Sequence, residues 1–146
     1  MSKNKFHIEK ELTIRSSTDN LSSVRDFTKG ATEEIGVDQK SAGKIILAVD
    51  EACTNIIKHA YEYSRGGKIH IKIKADNKKF SITIIDDGIH FNPDLVPEPN
   101  LMILQKEKRG GGLGMFLMRK LMDEINYTNI SPNRNKVVLV KYLTPN

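Results

Sequence analysis

Three short blocks of this sequence hold residue types that can do chemistry. In the first, Glu51-Ala-Cys-Thr-Asn55-Ile-Ile-Lys58-His59-Ala60, a carboxylate and an amide stand four residues apart. On a helix that is one turn, so Glu51 and Asn55 share a face, with His59 a turn further on. A carboxylate so placed can orient an attacking hydroxyl or water, and a side-chain amide oxygen can ligate Mg²⁺. The same spacing also fits a solvated helix face directed away from the apolar stripe. In the second block, Asp86-Asp87-Gly88 ends the apolar run Ile84-Ile85. A carboxylate there can accept a hydrogen bond from an exocyclic amine such as adenine N6. Glycine, free to adopt φ > 0, lets a flat base approach the backbone; an ordinary strand-ending turn reads the same way. In the third, Lys108-Arg109-Gly110-Gly111-Gly112-Leu113-Gly114 leads into Met115-Phe116-Leu117-Met118. Glycines opening a helix expose backbone N–H groups at its positive end, which suits phosphate, and Lys108 and Arg109 add full charges.

Two familiar phosphate motifs are excluded. No Gly-Lys-Ser/Thr follows the glycines, as a Walker loop requires, and no strand immediately precedes them, as a dinucleotide-binding turn requires. Cys53 falls on an apolar stripe and reads as a buried structural thiol. His7, His70 and His90 lack metal-ligand spacing, and no Ser-His-Asp or Cys-His pattern is visible.

The elements that must position these blocks follow from periodicity. Phe6, Ile8, Leu12 and Ile14 fall at even spacing and predict a half-buried strand. Ser16-Ser17-Thr18-Asp19 offers cap oxygens for a helix carrying Leu21, Val24, Arg25, Phe27 and Thr28, which Gly36 stops. Asp38 caps a second helix, whose stripe runs through Ala42, Ile45, Ile46, Val49, Cys53, Ile56, Ile57 and Ala60. Asp50 lies on another side and reads as a surface charge. After the turn Arg65-Gly66-Gly67, Ile69, Ile71 and Ile73 alternate with polar residues, as do Phe80, Ile82 and Ile84. The turn Asp76-Asn77 joins these two runs into a hairpin. Asn92 to Arg109 holds three prolines and little periodicity, so a loop or lid is expected there, at about 92–111. A helix over about Leu113 to Asp123 and a strand near Lys136–Leu143 close the order β-α-α-β-β-lid-α-β, which packs helices on one face of a mixed sheet.

Size and composition set the outer bounds. The chain has 146 residues, 38% of them hydrophobic, and reads as one packed domain, 1–146. No run is long enough to span a bilayer, and Met1-Ser-Lys-Asn-Lys5 lacks a secretory apolar stretch. With one cysteine no intrachain disulfide forms, and the cytoplasm is the expected compartment. The net charge of +5 permits phosphate, nucleic acid or an acidic protein surface without selecting among them.

In this order the three blocks resemble the GHKL (Bergerat-fold) ATPases of histidine kinases and gyrase. More specifically they resemble the small bacterial anti-sigma-factor serine/threonine kinases of the sporulation and stress-response type. The likeness runs from about Ala48 to Tyr127. It matches Ala48–Tyr61 to the family's N box, and Asp86–Pro93 and Gly112–Asp123 to its two glycine boxes. The resemblance implies an α+β fold: a two-layer α/β sandwich with a mixed, mostly antiparallel sheet and helices on one face. By position it implies that Asn55 ligates Mg²⁺, Glu51 is the base or water-orienting carboxylate, and Asp86 reads the adenine amino group with Gly88 beside the base. Gly112 and Gly114 would lie along the phosphates, and His59, Arg109, Gly110, Gly111 and Leu113 complete the implied nucleotide contacts. The implied activity is an ATP- and Mg²⁺-dependent protein serine/threonine kinase. It holds a sigma factor inactive and releases it by phosphorylating an anti-anti-sigma protein of the STAS type. Family members commonly form homodimers, and neither a direct nucleic-acid partner nor a membrane is expected. The sequence shows no phosphoacceptor-histidine helix pair, which argues against a sensor histidine kinase. Two rivals stand beside this reading: a nucleotide-bound binding module without catalysis, and a nucleic-acid binder suggested only by charge, which would need stacking aromatics that a chain without Trp supplies poorly.

Overall fold

Apolar β-branched residues at period two build the framework of the computed structural model, which describes residues 7–90, 118–131 and 133–144. Five strands, β1 (His7–Arg15), β2 (Lys68–Asp76), β3 (Lys79–Asp86), β4 (Glu124–Ser131) and β5 (Arg134–Tyr142), form one sheet in the order β1-β2-β3-β5-β4. All four pairings are antiparallel, so the expected mostly antiparallel sheet has no parallel pair among the described residues. Across the central strands Ile71 faces Ile84 and Ile84 faces Val137, while Ile73 faces Ile82 and Ile82 faces Leu139. These side chains are buried on one face, and His70, Lys72, Lys74, Ser81 and Thr83 take the other.

Two helices, α1 (Leu21–Ile35) and α2 (Gln39–Asn55), cover the apolar face and share a single core with it. Their ends follow local chemistry. The Ser17 side chain accepts the Asp19 N–H and caps a 3-10 turn, Thr18–Asn20, that feeds α1. Gly36 ends α1 in the left-handed region at φ 81°; its N–H donates to Glu33 O, and the Val37 N–H donates to Thr32 O. Asp38 Oδ2 accepts the Ser41 N–H at 3.0 Å and starts α2. An ion pair at 2.9 Å between Arg25 and Asp50 ties the two helices together. The β2–β3 hairpin turns at Asn77-Lys78, where Asp76 Oδ1 accepts from Lys78 N and Lys79 N at 2.8 and 2.9 Å.

Three features depart from the sequence expectation. The order had one strand after the last helix, whereas two are present. β4 is a mostly exposed edge strand, and its Asn and Thr content hides the alternation of Ile125 and Tyr127. The last helix was expected to reach Asp123; residues 118–121 are helical, with Met118 and Met122 buried in the core. Most consequentially, the last turn of the second helix is not α: Ile56–Ala60 is a π-helical turn. The expected lid at about 92–111 lies outside the described residues. No helix among the described residues is long and apolar enough to cross a membrane.

Candidate functional site

The π turn decides which residues of the first block face inward. A wide turn holds one residue more than an α turn, so it shifts the helical register, and such turns recur at functional sites. Here Ile56, Ile57 and Ala60 are all buried, and so is Asn55 at 2% exposure. The solvated-face alternative therefore fails for Asn55. Asn55 is turned into the protein, Glu51 is half-buried and His59 is exposed. Burial raises the Glu51 carboxyl above the usual carboxylate range; the neighbouring charge of Asp50 adds to this and Lys58 opposes it. His59 is lowered, first by burial and then by Lys58.

The turn also joins the first block to the second. The Ala60 carbonyl accepts the Ile89 N–H at 2.8 Å, and a Cβ on Gly88 would lie 2.5 Å from the same oxygen. Glycine is required at 88 by this close approach. The sequence reading supposed a left-handed φ there, but Gly36 is the described glycine with positive φ. Tyr61 completes the junction: its hydroxyl donates to Lys68 O at 2.5 Å and accepts the Asp87 N–H at 2.8 Å.

Asp86 ends β3 on the buried face with 3% exposure. Desolvation raises its pKa, against the hydrogen bonds that favour the charged form. Two of those land on Oδ1, from Gly88 N and from Asn135 Nδ2, each at 2.9 Å. Asp87 is exposed and pairs with Arg134 at 3.2 Å. Beside Asp86 opens a small cleft lined by Ile56, Tyr127, Asn129, Asn135 and Val137. The cleft offers apolar surface for a flat ring and an acceptor at its edge. A larger hollow of about 360 Å³ lies near His7, Glu9, Lys74, Asp76 and Ser81 and contains none of the candidate residues, so size alone does not mark the site.

Glu51, Asn55, Asp86 and Gly88 thus belong to two segments joined at Ala60. Arg109, Gly110, Gly111, Gly112, Leu113 and Gly114 lie outside the described residues. Among the described residues no cluster of three His, Cys, Asp or Glu side chains is placed to hold a metal. Sequence reasoning missed Asn135, whose setting in Asn133-Arg134-Asn135-Lys136 reads as a turn. It also missed the roles of Ala60 and Tyr61, which only the tertiary contact reveals.

Residues 14–141 match the family described as the histidine kinase-like ATPase domain. The chain is similar to the serine-protein kinase RsbW of Bacillus subtilis, 29% identical over 139 residues that cover 91% of this chain and 84% of that one. It is likewise similar to the anti-sigma F factor of Bacillus thuringiensis, 28% identical over 137 residues and 93% of each chain. Among solved structures, the RsbU and RsbW domains of a Mycobacterium tuberculosis protein superpose with a TM-score of 0.61 at 15% identity, covering 94% of this chain and 33% of that one. The last likeness is one of fold.

Proposed function

The chain belongs to the histidine kinase-like ATPase domain family, and on that premise we propose that it is an ATP-dependent protein serine/threonine kinase acting as an anti-sigma factor. In this reading it holds a sigma factor inactive, then transfers phosphate to a serine or threonine of a STAS-type protein and switches partners. It works as a homodimer in the cytoplasm.

The observation that carries the reading is the junction at Ala60, which sets a buried carboxylate acceptor beside a backbone stripped of Cβ. That pairing fits adenine: Asp86 accepts from the amino group, Gly88 leaves room for the ring plane, and Ile56 and Val137 supply apolar contact. Asn55 supports the phosphate end. A buried neutral amide oxygen at the close of α2 suits Mg²⁺, which takes few protein ligands and completes its shell with phosphate oxygens and water. Bound there, the ion would neutralise charge developing on the transferred phosphoryl group. Glu51 supports catalysis. Its half-buried, raised carboxyl is a better proton acceptor than an exposed one and is suited to a serine hydroxyl.

Calorimetric titration with ATP and ADP, with and without Mg²⁺, tests the pocket on wild type and Asn55→Ala. Mg²⁺-dependent ATP binding that weakens in the variant is the expected result, and no binding by wild type overturns the reading. Glu51→Gln separates catalysis from binding. It should keep nucleotide and lose phosphate transfer to a STAS protein, whereas a pure binding module would keep all of its function.

A further inference from the structure

Asn135 stands on β5 directly across from Asp86 on β3. Its Nδ2 lies 2.9 Å from Asp86 Oδ1, 3.1 Å from Gly88 O and 3.2 Å from Ile89 O. All three are acceptors, so the amide orientation is fixed by chemistry; turned over, its oxygen would face three oxygens. Its own Oδ1 meets Nδ1 of His90. The side chain is therefore fully engaged, and the group it holds is the carboxylate proposed above to read the base.

We propose that Asn135 is a positioning residue for base selection, pinning Asp86 by Oδ1 so that Oδ2 is presented as an acceptor to a 6-amino purine. The inference rests on the nucleotide-binding reading of this site. Both described hydrogen bonds to Asp86 fall on Oδ1. Rotating the carboxylate would leave the half-buried Gly88 N–H unpaired and cost Asn135 one of its three acceptors, so the geometry resists it. The same bonds favour the ionised form of a group that burial pushes toward protonation. That matters chemically, because an ionised carboxylate only accepts, whereas a protonated one also donates. An acceptor matches the amino group of adenine, and a donor matches the 6-oxo group of hypoxanthine. Without Asn135 the carboxyl gains freedom to turn and to take a proton, and either change erodes the preference for a 6-amino base.

The test is calorimetric titration with triphosphates that differ at purine position 6: ATP (amino), purine riboside triphosphate (hydrogen) and inosine triphosphate (oxo). Wild type, Asn135→Ala and Asn135→Asp are compared. Wild type should favour ATP over the purine riboside triphosphate by roughly tenfold or more, the worth of one charge-assisted hydrogen bond. In Asn135→Ala that ratio should fall several-fold, while affinity for the purine riboside triphosphate stays within about twofold of wild type. Asn135→Asp preserves shape and sets a second carboxylate beside Asp86, raising its hold on a proton. This variant should narrow the ATP-to-inosine ratio most and regain ATP preference as pH rises; it also carries the test should the alanine variant fail to fold. Equal weakening for all three ligands, with ratios unchanged, would overturn the proposal and leave Asn135 a clamp on the strand end. Failure of wild type to bind any triphosphate would overturn the nucleotide reading itself, and this inference with it.

Discussion

Replacing Gly88 with alanine probes how the two halves of the site are joined. An added Cβ would lie 2.5 Å from Ala60 O, 2.6 Å from its carbonyl carbon and 2.7 Å from its Cβ. Ordinary contact begins near 3.4 Å, so the strand end must retreat by about 0.9 Å. No flexible side-chain tip is there to yield, because the opposing atoms are backbone and a first side-chain carbon. That retreat carries the 2.8 Å bond from Ile89 N to Ala60 O beyond hydrogen-bond range. Overpacking costs about 1–3 kcal/mol and the lost bond about 0.5–1.5 kcal/mol, so the variant should lose about 1.5–4.5 kcal/mol in all. For a domain of this size the melting temperature should fall by roughly 5–15 °C. Thermal unfolding followed by circular dichroism reads this directly. Gly66→Ala and Gly30→Ala are the controls, since an added Cβ meets nothing within 4 Å at either position. The first should melt with wild type, and the second, inside α1, should gain about 0.5–1 kcal/mol from helix propensity. A Gly88→Ala protein that melts with wild type would refute the contact between turn and strand.

Three further outcomes follow from the titrating groups. Asp86 holds its proton more tightly folded than unfolded, so its favourable contribution is present at low pH and is lost as pH rises through its raised pKa. Asp86→Asn should therefore melt above wild type near neutral pH, with the gap closing toward about pH 4; a gap that does not depend on pH would count against the assignment. If Glu51 takes the hydroxyl proton, the acid limb of the kinase rate should lie above the usual carboxylate range, because its carboxyl is raised. A rate profile flat through that region would remove Glu51 from the proton transfer. The Cys53 thiol is fully buried, and burial, with Asp50 and Asp86 adding to it, pushes its pKa up. Iodoacetamide should label it only on unfolding, and labelling of the native protein would show that α2 opens.

Local chemistry made much of this fold legible in advance. Asp38 and Ser17 cap because a short oxygen-bearing side chain satisfies helix N–H groups wherever it stands. The β2–β3 hairpin was visible because each strand alternates about a turn that Asp76 bonds on its own. Long-range features were hidden. β4 needs β5 as a partner, so its own half-polar composition says little. The π turn leaves no mark in Ile56–Ala60, since apolar residues there fit an α stripe equally well. Asn135 gains its meaning only from Asp86, 49 residues away. The candidate residues could be named from types and spacing, but the reason that Asn55 faces inward could not.

The π turn also bears on how this chain tolerates change in length. It holds one residue more than the helix needs, in a stretch where three of five side chains, Ile56, Ile57 and Ala60, are core. Loss of one codon within 56–60 would not break the helix but regularise it. The segment before the deletion would keep nearly its orientation toward the Ala60 junction, because four α residues turn the chain by about 400°, close to what the five residues of the wide turn do. Loss of one codon within α2 itself finds no surplus residue to absorb it and would rotate the helix before it by about 100°. Where along this helix a residue is lost thus decides whether Asn55 stays in place.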